Sequence, residues 1–296
     1  MRLGIDLGGT KIEIIALAAD GVERLRKRVD TPGNYQDILR AVSSLVASVE
    51  DQLGERGVVG ICTPGALSPA NGLLKNSNSV CLNGRSVHTE LEAVLGRAVR
   101  IANDANCFAL SEATDGAAEG VEMVFGVILG TGVGGGVVLR GQVLSGSNAI
   151  AGEWGHNPLP WPLDDERPGP ECYCGKRGCI ETFLSGPGLA RDHELLTSES
   201  ITTREIVVRA ESGEAQAEAS LRRYEDRMAR GLAHVINILD PNVIVLGGGM
   251  CNLKRLYRNV PRRWGRYVFS DRVDTRLLPP RFGDSSGVRG AAWLWT

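Results

Sequence analysis

A chain of 296 residues, 43% hydrophobic and 23% charged, is long enough for two domains with cores of their own. Its formal net charge of −2 offers no global basic field for nucleic acid or an anionic membrane surface, and no local basic patch stands out. No window approaches the ~18 apolar residues of a membrane span, and "MRLGIDLGGTK" breaks its apolar run too early for a signal peptide, so the cytoplasm is the expected compartment.

In chain order, residues 2–7 and 12–18 read as two strands around the turn "GGTK", and Ile38 to Val49 has helical spacing of apolar positions. "GVVGICTPG" is a strand that ends on a Pro-Gly breaker, and "VRIAND" is a strand running into the helix-like "ANCFALSEA". A boundary falls at residues 117–120, "AAEG", giving an N-terminal α/β lobe over 1–116 and a second over 117–296. The second lobe opens with the strands "MVFGVILG" and "GGVVLRGQVL". Residues 215–239 then carry Leu221, Tyr224, Met228, Leu232, Val235, Ile236 and Leu239 at three- and four-residue steps, the mark of a long amphipathic helix. "NVIVLGGG" follows as a strand apolar enough to be buried on both faces. Trp293 and Trp295 suit either an interface or, by preference, a last helix, about 285–296, packed back on the first lobe.

Three glycine clusters each follow a strand: Asp6 to Lys11, Gly130 to Gly136, and Gly247 to Gly249. Glycine lets backbone N–H groups surround phosphate oxygens without a Cβ in the way, although hairpin turns also need it for positive φ. The middle cluster fits G-x-G-x-x-G, but a strand-like "VVLRGQVL" follows where a dinucleotide fold needs a helix. Walker A spacing is also absent, which leaves phosphate held by β-hairpin turns. Asp104 lies where a strand gives way to a helix, suiting either a general base for an attacking hydroxyl or a helix N-cap. Asp6 either holds Mg²⁺ or its waters beside phosphates, or stabilises its own turn.

Three of the seven cysteines fall within eight positions, in "ECYCGKRGCIE". Cys172, Cys174 and Cys179 with His156 make a closed tetrahedral Zn²⁺ set without an open position, so the metal is structural. Free thiols are the alternative, and a disulfide is disfavoured in a reducing compartment. The clasp would fix Glu153 and Glu181 at one place, and paired carboxylates suit a polyol. Cys62, Cys81, Cys107 and Cys251 read as inert packing.

"DLGGTK", "TPG", "NDAN", "GTGVGGG", "EWGH", "CYCGKRGCIE" and "NVIVLGGG", in that order, resemble the ROK family of bacterial sugar kinases over essentially the whole chain. "AGEWGHNPLPW", "LAHVINILDPNVIVLGGGM" and "GDSSGVRGAAWLW" are similar to its fructokinase or mannokinase branch. The resemblance implies a two-lobed actin-like ATPase (ribonuclease H-like) fold with a ligand cleft between the lobes. It also implies a homodimer, and ATP-dependent transfer to the 6-hydroxyl of a hexose. By the same resemblance Asp104 is the catalytic base, and Gly65, Asn78, Asn103, Glu153, His156 and Glu181 bind the sugar. Gly8, Gly9, Thr10, Lys11, Thr131, Gly132, Gly247, Gly248 and Gly249 then contact ATP, and His156, Cys172, Cys174 and Cys179 are zinc ligands.

One departure from the family pattern is Cys81, in "NSVCLNG", where an aromatic ring is common; the smaller thiol reshapes a wall of the sugar site. Fructose is the expected substrate, then mannose, with glucose or an N-acetylhexosamine as alternatives. A sugar-sensing regulator of the same family is the rival from another class. It would carry a helix-turn-helix before the sugar domain, whereas "DLGGTK" begins at residue 6.

Overall fold

The computed structural model describes residues 1–77, 79–283 and 286–295. The chain begins β1 (Arg2–Leu7), β2 (Lys11–Leu17), β3 (Glu23–Asp30), α1 (Tyr35–Leu53), β4 (Val58–Thr63), β5 (Ala66–Leu67), β6 (Leu74–Lys75), α2 (Val87–Leu95), β7 (Val99–Asn103) and α3 (Asp104–Thr114). It continues β8 (Met123–Leu129), β9 (Val133–Leu139), β10 (Gln142–Val143), α4 (Ile180–Leu184), α5 (Gly186–Thr197), α6 (Thr203–Glu211) and α7 (Ala215–Leu239). Last come β11 (Val243–Gly247), α8 (Lys254–Asn259), α9 (Pro261–Trp264), β12 (Arg276–Leu278) and α10 (Ser286–Trp293). Two compact units result, Met1–Glu122 with Gly136–Ala151 and Arg281–Thr296, and Met123–Gly135 with Gly152–Pro280.

In the first unit the sheet order is β3-β2-β1-β4-β7, with β1, β4 and β7 parallel and β2 and β3 antiparallel to their neighbours. Side chains alternate along β1. Leu3, Ile5 and Leu7 enter the core closed by α1 and α2, while Gly4 and Asp6 face α10. A Cβ on Gly4 or Gly60 would overlap the backbone oxygen of Val288 or Ala291, so these glycines let α10 lie directly on β1 and β4. α10 also packs along α3 and buries Trp293.

Helix α1 starts at Asn34, whose side chain accepts from Asp37 N–H, and stops at Gly54 in the left-handed region. Its buried positions Ile38, Leu39, Val42, Leu45, Val46 and Val49 recur every three to four residues, each contributing roughly 1.5–3 kcal/mol of burial. A charge at Val42, which is fully buried, would break that face.

The second sheet has the order β10-β9-β8-β11-β12, with β8, β11 and β12 parallel. β11 is buried along its whole length, as its unbroken apolar run requires. In the second unit α7 is the central helix, and Tyr224 Oη donates to Leu184 O at 2.8 Å. Arg227 and Arg230 on α7 are buried against Glu166, at 2.7 and 2.8 Å, and Arg227 also bonds Asp192. Burial would raise Glu166, but the hydrogen bonds from Arg230 and Arg227 win and hold it at about 2. This network ties the loop ahead of the cysteines to α7. No helix among the described residues is long and apolar enough to cross a membrane.

Candidate active site

In the first unit the site residues gather at the C-terminal ends of β1, β4 and β7, the edge where parallel sheets receive ligands. Register places Asp6 beside Cys62 and Cys62 beside Ala102. The β1–β2 turn holds Gly8, Gly9 and Thr10, with Lys11 exposed at the start of β2. Gly8 N–H donates to Lys11 O at 3.1 Å and Thr31 Oγ1 donates to Gly8 O at 2.7 Å, fixing the turn. The N–H groups of Gly9 and Thr10 carry no hydrogen bond among the described residues, so both are available to an anion. Gly65 follows β4 against the β5–β6 hairpin. Asn78 lies outside the described residues.

Asp104 is the first residue of α3, and the cap is Asn103, whose Oδ1 accepts from Asn106 N–H at 2.8 Å. The N-cap alternative for Asp104 therefore passes to its neighbour. Asp104 Oδ1 accepts from Ala105 N–H at 2.8 Å, and the carboxylate is open to solvent. The surrounding protein nonetheless raises its pKa, and the Ala105 N–H lowers it in part. Asp6 is raised to about 6, first by burial. A hydrogen bond from the Cys62 thiol pulls it down, and the charges of Asp104 and Glu13 push it up. A carboxylate held among like charges fits a divalent cation or its waters, which is the fit Mg²⁺ requires. Cys62, expected to be inert packing, is fully buried in β4 and lies beside Asp6 in the strand register.

In the second unit both remaining glycine turns follow adjacent parallel strands, β8 and β11. Gly130, Thr131 and Gly132 join β8 to β9, and Gly248 and Gly249 follow Gly247 at the end of β11. Gly186 N–H, at the start of α5, donates to Gly130 O at 2.8 Å. Beside these turns opens a cleft of about 1440 Å³, walled by Thr131, Val207, Leu221, Met250, Leu253 and Arg258 among others. Such a space, with phosphate-type turns at its edge and an apolar wall, suits a nucleoside. The α6 and α8 walls were missed in the sequence. The signal was there in Thr202, whose side chain caps α6 by accepting from Glu205 N–H at 3.2 Å ahead of an apolar stretch.

The ligand atoms of His156, Cys172, Cys174 and Cys179 all lie within 4.8 Å of one another. Cys172 Sγ is 3.6 Å from His156 Nδ1 and Cys174 Sγ is 3.6 Å from Cys179 Sγ. Bonds of about 2.0–2.3 Å to one tetrahedral Zn²⁺ would separate ligands by roughly 3.5–3.8 Å, so the donor set fits the ion in both chemistry and spacing. His156 Nε2 is 2.9 Å from Tyr173 Oη, which fixes the ring in the manner of a metal-bound imidazole's outer partner. Glu153 precedes the 3-10 turn Trp154–His156 and is exposed, and Glu181 sits in the first turn of α4. Cys81, also expected to be packed, is exposed on the 3-10 turn Val80–Leu82.

The chain is 40% identical over 300 residues to the N-acetyl-D-glucosamine kinase of Photobacterium profundum, with 99% of each chain covered. It is 38% identical over 299 residues to that of Yersinia enterocolitica, again over 99% of each. Among solved structures, a ROK hexokinase from Thermus thermophilus matches with a TM-score of 0.87 and 33% identity, over 99% of this chain and 96% of that one. A ROK family glucokinase from Streptomyces griseus, in complex with glucose and AMPPNP, matches with a TM-score of 0.79 and 26% identity, over 99% and 98%. Fold and site together define an ATP-dependent sugar kinase with an actin-like ATPase fold. Residues 2–296 match the ROK family, and the chain belongs to it.

Proposed function

We propose that the protein phosphorylates the 6-hydroxyl of N-acetyl-D-glucosamine, or a closely related N-acetylated hexosamine, with ATP. What carries the choice of sugar is the full-length identity of 38–40% to N-acetyl-D-glucosamine kinases. The fructose-first order drawn from sequence details gives way to that likeness, and fructose or mannose becomes the second reading.

In this reading Asp104 accepts the proton of the attacking 6-hydroxyl as the γ-phosphoryl group moves in line. Its position at the start of α3, open to solvent and anchored by Ala105 N–H, leaves one oxygen for the sugar. The raised pKa brings its basicity nearer to working pH. By the family resemblance Gly65, Asn78, Asn103, Glu153, His156 and Glu181 bind the hexose. The turn Gly8 to Lys11, Thr131 with Gly132, and Gly247 to Gly249 hold the phosphates. Asp6 would hold Mg²⁺, which neutralises phosphate charge when bound. His156, Cys172, Cys174 and Cys179 would hold a structural Zn²⁺, which fixes the α4 start. The resemblance to the family also supports a homodimer.

The base assignment is tested with Asp104→Asn. ADP release in the presence of sugar should fall at least about 100-fold in kcat, with sugar affinity within a few-fold of wild type. Wild-type turnover by this variant would remove Asp104 from the role.

A further inference from the structure

We propose that Glu181 is a positioning residue for the turn Gly130–Val133, so that a carboxylate expected at the sugar also sets the geometry of a nucleotide turn. The inference rests on the reading above that this turn receives the phosphates of ATP. Glu181 Oε2 accepts from Val133 N–H at 2.9 Å, across 48 residues of sequence. A Cβ built on Gly132 would stand 2.7 Å from the same oxygen, so the carboxylate is seated directly against the turn and would have to move for any larger residue there.

The turn is otherwise held at two points. Gly130 N–H donates to Gly132 O at 3.0 Å, and Gly186 N–H donates to Gly130 O at 2.8 Å. With Val133 N–H taken by Glu181, the N–H groups of Thr131 and Gly132 are the ones in this turn that carry no hydrogen bond among the described residues. Glu181 therefore decides which amides face an anion. A carboxylate accepting a backbone N–H is a charge-assisted bond, strong enough to fix the direction of a peptide plane in a glycine-rich turn. Without it the Gly132–Val133 peptide plane would be held at its carbonyl alone, by Gly130 N–H, between two glycines that give it little further restraint.

The other carboxylate oxygen, Oε1, has no hydrogen bond among the described residues and is left for a hydroxyl. Glu181 itself stands two residues beyond Cys179, and Ser185 N–H closes α4 on Glu181 O at 3.1 Å. The strap thus runs from the cysteine cluster through α4 to the turn, and it was not visible in the sequence.

The test is calorimetric titration of Mg-ADP, without sugar, into the full chain and its variants Glu181→Ala and Glu181→Gln. Alanine should weaken ADP binding about tenfold, while glutamine, whose amide oxygen still accepts the Val133 N–H, should stay within about threefold. Unchanged ADP affinity in Glu181→Ala, or equal losses in both variants, would overturn the inference. A wild type that binds sugar but no Mg-ADP would instead overturn the nucleotide reading of the turn. Should the alanine variant fail to fold, amide exchange in wild type decides: slow exchange at Val133 supports the strap, and exchange at an unprotected rate sinks it.

Discussion

Asp6 pays for its position at the end of β1 in a way that can be measured. Burial is the largest cause of its rise to about 6, with the charges of Asp104 and Glu13 adding to it and the Cys62 thiol opposing. A folded-state pKa above the unfolded value of 3.8 means that the stability linked to this group is present below pH 3.8 and is lost as pH rises through about 6. In protein free of Mg²⁺ and nucleotide, Asp6→Asn should therefore raise Tm relative to wild type at pH 8, with a smaller gain or none at pH 4. An equal effect at both pH values would contradict the charge argument. At this scale the sequence marked Asp6 and Asp104 through their place at strand ends, Asp6 before a glycine turn and Asp104 where a helix begins. It left open whether Asp104 is a base or the α3 cap and did not point to Asn103, because both residue types cap well and only backbone geometry separates them. The Cys62 partner of Asp6 was also hidden, since strand register and not sequence distance brings the two together.

Elements were legible where their signal is local. The long periodicity over 215–239 became α7, the apolar run before Gly247 became β11, and β1 and β2 pair around their glycine turn. β3, "ERLRKRVD", was not read. It is an edge strand whose charged side chains face solvent or pair with Glu13, Glu23 and Glu55, so it shows no apolar alternation. The cysteine cluster was readable for the opposite reason, because three ligands within eight residues leave few alternatives. If it holds a structural ion, protein purified without chelator should contain stoichiometric zinc. Cys174→Ser should lose that metal and lower Tm by about 5–10 °C, as metal binding and folding are coupled. A wild-type Tm that stays the same after the metal is stripped would count against the clasp.

For the molecule as a whole, two mixed sheets with glycine turns at their strand ends accompany a run of motifs whose order made the actin-like fold and a sugar kinase readable. The hexose was not readable in the same way. Discrimination by pocket size is worth only ~1–3 kcal/mol, too small a difference for the order of motifs to carry. Substrate preference is therefore the claim most in need of a direct reading. The deciding measurement is kcat/KM for Mg-ATP-dependent ADP release, compared across N-acetyl-D-glucosamine, glucose, mannose and fructose under one set of conditions. A preference of at least about tenfold for N-acetyl-D-glucosamine is the predicted result. A higher kcat/KM for fructose or mannose would contradict the proposed substrate and leave the kinase assignment in place.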